Sequence, residues 1–242
     1  MDYIKEKVYV CGDYMEADII PSSGVRPKSR IKKKALSIPK QKNLNEKNSR
    51  RYFIQLVNTN FSHKDYHVTI TYDEKHKPIT IEEAERNVTN YIRRLKRRQK
   101  KVSNEPLKYV LVTQFGEKRT HHHLIISSAI SRDDIENAWG MGRANCDRLK
   151  PDEYGLEALS RYLVKHTGGK KRWSCSHNLK KPLLIEKTYS HRGIYSQKNM
   201  QINYTDRSFW EKRFKGYIFT ECKAEYNDIT GWSYYAKMRR QQ

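Results

Sequence analysis

The sequence predicts an α+β fold, a small antiparallel β-sheet with helices packed on one face. Three consecutive segments support this prediction. Residues 66–72 alternate between apolar and polar side chains, residues 80–95 repeat apolar side chains at helical spacing, and residues 107–127 are typical of two strands joined by a short turn. Because short turns join antiparallel strands, the helical segments are expected to cover the apolar face of one such sheet.

The first strand and the first helix of this region have clear local signals. The segment "YHVTITY" (66–72) is rich in β-branched and aromatic residues, which favour strands. Thr80 and Glu83 form a T-x-x-E capping box, in which the two side chains satisfy backbone N–H groups at the start of a helix. The apolar stripe that follows consists of Ile81, Ala84, Val88, Tyr91, Ile92 and Leu95.

The next elements are a predicted hairpin and two further helices. The segments "LKYVLVTQF" (107–115) and "HHHLIIS" (121–127) are separated by a few residues that include Gly116, which is typical of an antiparallel hairpin. A short helix is predicted to begin at Ser131, and a longer one is predicted over about residues 152–166, around "EYGLEALSRYLVKH".

The two ends of the chain differ from this central part. Residues 1–22 are expected to form a short strand pair, whereas residues 23–50 lack apolar periodicity and are expected to be a loop or linker. We therefore assign residues 1–50 to a basic N-terminal extension and residues 51–185 to the folded domain. Residues 186–242 are assigned to a tyrosine-rich basic extension that packs on this domain.

The charge of the chain indicates a polyanionic partner. It has 49 Lys and Arg against 27 Asp and Glu, a formal net charge of +22. Residues 26–51 contain eleven basic residues and one acidic residue, and residues 93–101 and 161–181 contain seven basic residues each. Such clusters suit phosphates, and the 17 tyrosines suit stacking on the bases of single-stranded DNA. The candidate DNA-binding residues are Lys32, Lys33, Lys34, Arg93, Arg94, Arg97, Lys170, Lys171 and Arg172.

Cysteine usage and hydropathy argue against a secreted or membrane protein. The four cysteines have no C-x-x-C spacing, no signal peptide opens the chain, and no apolar run approaches the roughly 20 residues of a membrane span. We therefore expect a cytoplasmic protein with free thiols and no membrane partner. A zinc site that includes "CSH" at 175–177 is an alternative use of these residues.

The consecutive histidines of "RTHHHLIIS" (119–127) are candidate metal ligands. Side chains two apart on a strand share a face, so His121 and His123 are expected to point one way and His122 the other. Two imidazoles on one face can bind one divalent ion, and Gln114 on the neighbouring strand could supply a carbonyl oxygen. Packed or solvated histidines are the alternative interpretation.

The third helix supplies a candidate nucleophile. Tyr162 and Lys165 in "YLVK" are spaced i, i+3, which places them on one side of the helix. A tyrosine attacks well only where its phenolate is stabilised, and a nearby ammonium or metal ion could do this. The alternatives are that Tyr162 is a core ring beside Leu163, or that Tyr154 is the nucleophile.

Together these motifs resemble those of the HUH endonucleases. They are most similar to the single-tyrosine replication initiators (Rep proteins) of rolling-circle phages, plasmids and integrated elements of Gram-positive bacteria. The resemblance covers roughly residues 50–185. The matching segments, in order, are "HVTITY", "RTHHHLIIS", "YLVKH" and "RWSCSHNLKKP".

This resemblance implies an RRM/ferredoxin-like core and a specific chemistry. Mg²⁺ or Mn²⁺ would be held by His121, His123 and Gln114, and Tyr162 would form a 5′-phosphotyrosine link with nicked DNA, steadied by Lys165. Two positions depart from the family pattern. A histidine stands in the middle of the H-x-H motif, and Gln114 occupies a position where many relatives have a carboxylate. Glu117 is the substitute third ligand.

The resemblance also implies partners, and rival functions stay open. The chain lacks a G-x-x-x-x-G-K-[ST] motif, so strand separation would require a separate helicase. The expected substrate is single-stranded or hairpin origin DNA, copied by a host DNA polymerase in the bacterial cytoplasm. The alternatives are a single-strand transposase, a relaxase, or a non-catalytic nucleic-acid-binding regulator.

Overall fold

The structure, a computed structural model, describes residues 3–22, 39–116, 119–165, 173–228 and 230–241. These residues form ten strands and six α-helices, in two antiparallel sheets. In chain order the elements are β1 (Tyr3–Cys11), β2 (Tyr14–Ser22), α1 (Pro39–Asn60), β3 (Tyr66–Thr71), α2 (Ile81–Val102), β4 (Tyr109–Gln114), β5 (His121–Ile126), α3 (Arg132–Asn137), β6 (Ala144–Arg148), α4 (Glu157–Lys165), β7 (Ser174–Cys175), β8 (Leu183–Ser190), α5 (Gln197–Asn203), α6 (Arg207–Arg213), β9 (Tyr217–Asn227) and β10 (Gly231–Arg240).

The chain divides into two compact units. The central unit comprises residues 60–152 and 156–180, and the terminal unit comprises residues 1–59, 153–155 and 181–242. The sequence analysis set its limits at residues 50 and 185 because it read each end of the chain separately. In the structure the two ends share one sheet, since β1 pairs with β8 and β2 pairs with β10.

The sheet of the central unit has the strand order β6-β3-β5-β4-β7, and all its pairs are antiparallel. Its first four strands and two helices follow the chain order β3-α2-β4-β5-α3-β6. This is the β-α-β-β-α-β arrangement of ferredoxin-like folds. The predicted fold class is therefore confirmed. The edge strands β6 and β7 were not predicted, because a segment such as "ANCDR" (144–148) has little apolar alternation.

Helix α2 forms where the capping box predicts it. The Thr80 side chain accepts a hydrogen bond from the Glu83 N–H, and the Glu83 carboxylate accepts one from the Ile79 N–H at 2.8 Å. The helix buries the predicted stripe against one face of the sheet, where α3 also contributes Ile135. The sheet residues in this core include Val68, Ile70, Leu111, Leu124 and Ile126.

The opposite face of the same sheet is covered differently. The Tyr162 ring of α4 contacts His123, and His123 points away from the core that holds Leu124. Helix α4 therefore lies on the face opposite α2 and α3. The expectation that all three helices pack on one face was wrong for α4, because chain order alone does not say which face a later helix covers.

The terminal unit contains the sheet β8-β1-β2-β10-β9. The predicted strand pair in residues 1–22 is confirmed as β1 and β2. The loop predicted over residues 23–50 is wrong for residues 39–50, which are the first half of α1. The sequence signal is weak there because the apolar anchors of α1 come later, at Phe53, Ile54, Leu56 and Val57. No helix in the described ranges is both long and apolar enough to cross a membrane.

Candidate active site

Strand β5 places its three histidines on alternate faces of the central sheet, as the spacing predicts. His121 pairs with Thr71 of β3 and Gln114 of β4, and His123 pairs with Thr69. Residues paired across antiparallel strands share a face, so these side chains lie together on the face that α4 covers. His122 lies on the other face.

His122 is a structural residue of the core. Its side chain is fully buried, with Nε2 2.8 Å from the Tyr72 hydroxyl and Nδ1 2.9 Å from Thr113 Oγ1. Its ring also lies edge-on to Trp139. Burial lowers the pKa of His122 to about 3, so the ring is neutral at pH 7. Both ring nitrogens are satisfied within the core, which leaves neither for a metal ion.

His123 presents a different arrangement on the opposite face. Its Nδ1 lies 3.1 Å from Thr69 Oγ1 and 3.2 Å from His67 Nε2. Its Nε2 is buried and has no hydrogen-bond partner among the described residues, and the same holds for Nδ1 of His121. Buried polar atoms are normally satisfied, so two such nitrogens on one face indicate a missing ligand.

The protonation of these histidines suits metal binding. Burial lowers the pKa of His123 to about 3, and burial also lowers the pKa of His121 and of His67. All three imidazoles are therefore neutral at pH 7, and neutral imidazole is the form that binds metal ions. The rings of His121 and His123 lie 5.0 Å apart between centroids, nearly perpendicular.

Tyr162 lies beside this histidine pair. Its ring centroid is 5.5 Å from that of His123, at an interplanar angle of 73°. Leu163 and Val164 anchor α4 by burial, whereas Tyr162 is 54% exposed. The alternative that Tyr162 is a core ring is thus wrong. Lys165, one turn later, is exposed as well.

The third metal ligand is not resolved by the described residues. No group of three His, Cys, Asp or Glu side chains with the arrangement of a metal site occurs among them. Cys175, a member of the alternative zinc site, lies in β7 opposite Val110. Gln114 is directly opposite His121 and on the same face. Glu117 lies outside the described residues.

Tyr154, the rival nucleophile, belongs to the terminal unit. Its ring packs against Lys237, whose Nζ lies 5.1 Å from the ring centroid. Tyr162 is the tyrosine that shares the central unit and a ring contact with His123.

The predicted DNA-binding residues divide into three groups. Arg93 and Arg97 are exposed on α2, on the helical layer opposite the face of His123. Arg94 instead donates hydrogen bonds to the carbonyl oxygens of Ala138 and Trp139, at 2.9 and 3.0 Å. It holds the end of α3, so it is a structural residue. Outside the described residues lie Lys32, Lys33, Lys34, Lys170, Lys171 and Arg172.

Sequence reasoning missed His67. It is the first polar residue of "HVTITY", and its ring stacks on His123 with centroids 5.3 Å apart. The alternation of β3 already places His67 on the face of Thr69 and Thr71. Its proximity to His123 depends on the register between β3 and β5, which the sequence does not specify.

Comparison with known proteins gives a match in the central unit. Residues 65–167 match a family model described as a replication-associated protein of the ORF2 type. This segment is similar to replication-associated proteins. It contains His67, the β5 histidines and Tyr162. Neither a curated protein nor a solved structure matches the chain.

Proposed function

We propose that this chain is a rolling-circle replication initiator that nicks and rejoins single-stranded origin DNA through a 5′-phosphotyrosine intermediate. The observation that carries the proposal is the contact between the exposed Tyr162 ring and His123, beside two imidazole nitrogens without partners among the described residues. The match of residues 65–167 to replication-associated proteins supports replication as the setting.

His121 and His123 would hold a Mg²⁺ or Mn²⁺ ion, with Gln114 as the third protein ligand. Their fit to a cation follows from the neutral imidazoles and from the buried nitrogens that lack partners among the described residues. Mg²⁺ or Mn²⁺ would polarise the scissile phosphate. His67 and Thr69 hold Nδ1 of His123, which fixes the ring and directs Nε2 away from them.

Tyr162 performs the covalent step in this proposal. Its hydroxyl oxygen attacks the phosphorus in line, and the bond between phosphorus and the 3′ oxygen breaks. The phenolic proton is lost and the 3′ oxygen gains one, so the products are a 5′-phosphotyrosine and a free 3′-OH. The ammonium of Lys165, one helical turn away, stabilises the phenolate or the bound phosphate.

The products of this step suit replication. The free 3′-OH can prime synthesis by a host DNA polymerase, and a separate helicase would open the duplex in the bacterial cytoplasm. The phosphotyrosine link conserves the energy of the phosphodiester, so attack by a 3′-OH restores a continuous strand and releases Tyr162.

A nicking assay tests this function. Wild-type protein with Mn²⁺ should cleave a single-stranded oligonucleotide from the parent element, whereas Tyr162→Phe should lose at least about 10³-fold in rate. Tyr154→Phe is the matched control and should cleave normally. A wild-type protein that binds DNA yet never cleaves it would instead indicate a non-catalytic regulator. Cleavage at the ends of an element rather than at its origin would indicate a transposase.

A further inference from the structure

The terminal unit contains a cavity of about 350 Å³. It lies where the start of β1, the end of β2 and the start of β10 come together, with Ile4 and Ile19 in its lining. This volume is at the small end of the range for ligand pockets, so the cavity suits one small group rather than a long segment.

Aromatic rings form much of the cavity wall. Trp232 and Tyr234 are two residues apart on β10, with ring planes within 20° and centroids 6.4 Å apart. Tyr3 also lines the cavity and is 49% exposed. Accessible aromatic faces bind flat groups by stacking, because both surfaces are planar and apolar.

One polar group of the lining lacks a partner among the described residues. Tyr234 is 5% exposed, and its buried hydroxyl makes no hydrogen bond to any of them. Leaving such a group unsatisfied is costly, and a ligand with a hydrogen-bonding edge would satisfy it. Gln197 and Thr230, which also line the cavity, can donate or accept further hydrogen bonds.

We infer that this cavity binds one unpaired nucleobase of single-stranded DNA. A base combines the required features, a flat face for Trp232 and a polar edge for the Tyr234 hydroxyl. The surrounding sequence also suits a polyanion, since residues 181–242 contain twelve Lys and Arg against six Asp and Glu. The inference rests on the proposed function only in that single-stranded DNA is the substrate.

The binding experiment uses the full chain with Tyr162→Phe and EDTA, so that no cleavage occurs. Anisotropy of a labelled oligothymidylate measures affinity. Adding Trp232→Ala should weaken binding about 5- to 150-fold, and adding Tyr234→Phe, which keeps the ring, should weaken it about two- to tenfold. Tyr52→Ala, an exposed tyrosine on α1, is the control and should bind normally.

Two further arms identify the occupant. An oligonucleotide containing 5-iododeoxyuridine should photocrosslink to a peptide that contains Trp232 or Tyr234. Replacing its bases with abasic sites should abolish the difference between wild type and Trp232→Ala. Normal affinity of both cavity variants, or crosslinks confined to the central unit, would overturn the inference. Displacement of the DNA by equimolar thymidine monophosphate would overturn it too, since the cavity would then be a mononucleotide site.

These outcomes are separate from those of the nicking assay. If the chain never cleaves DNA but crosslinks at Trp232, the base pocket stands and the proposed chemistry fails. If it cleaves normally and the cavity variants bind as wild type does, the chemistry stands and the base pocket fails.

Discussion

His122 and its two neighbours in β5 have the same side chain but different surroundings. His122 is enclosed by the helical core, with a hydrogen bond to each ring nitrogen from Tyr72 and Thr113. His121 and His123 face α4, and each has a buried nitrogen without a partner among the described residues. The difference teaches that a run of identical residues on a strand can be divided between packing and chemistry, because successive side chains point to opposite faces.

The strongest test of this comparison removes the histidines that face α4. His121→Ala or His123→Ala should reduce Mn²⁺-dependent cleavage by about 10³-fold or more, because a metal role in transition-state stabilisation is worth several kcal/mol. Binding to single-stranded DNA, measured by anisotropy, should stay largely intact because it depends on the basic surface. Equal loss of cleavage in His122→Ala would contradict the assignment of the two faces.

His67 should have an intermediate effect. His67→Ala removes a contact that holds Nδ1 of His123, so we expect the metal concentration for half-maximal cleavage to rise about 10- to 100-fold. Excess metal should restore much of the rate. The control His63→Ala changes a histidine that precedes β3 in the same unit. If both variants behave like wild type, His67 does not position His123.

His122 should affect stability rather than cleavage. His122→Ala leaves a cavity and deprives Tyr72 and Thr113 of their partner, which should lower the free energy of unfolding by about 2–4 kcal/mol. Urea denaturation measures this loss. Below the unfolding transition the cleavage rate should change little. A fully stable His122→Ala protein would show that the core does not depend on these hydrogen bonds.

The smallest effects should separate two arginines of α2. Arg97→Ala should reduce the salt dependence of DNA binding by about 0.7 log units, if Arg97 contacts one phosphate of single-stranded DNA. Arg94→Ala should leave that slope unchanged and lower stability by about 1–3 kcal/mol, because two carbonyl groups at the end of α3 lose a donor. Salt titrations and urea denaturation of both variants measure the difference. The opposite pattern would contradict the structural role of Arg94.

The sequence was sufficient where the determinants are local. The capping box and apolar stripe predict α2, the spacing around Gly116 predicts the hairpin, and alternation predicts the two directions of the β5 histidines. These features depend on residues within a few positions of each other, so no knowledge of the tertiary fold is needed.

The rest depends on contacts between distant segments. The proximity of His67 to His123 requires the register of β3 with β5, and the structural role of Arg94 requires the position of α3. The sheet of the terminal unit joins strands from both ends of the chain, as in the pairing of Val8 with Ile185. Local periodicity cannot select such partners, because many segments share the same pattern.

The attachment site of cleaved DNA tests the central claim most directly. Wild-type protein incubated with Mn²⁺ and a 5′-extended single-stranded substrate should give a covalent adduct that survives denaturing electrophoresis. Mass spectrometry of the digested adduct should locate the phosphate on Tyr162, in a peptide from α4. The account predicts this residue because its exposed ring contacts His123. A phosphate on Tyr154 or any other residue, or an adduct that persists in Tyr162→Phe, would contradict it.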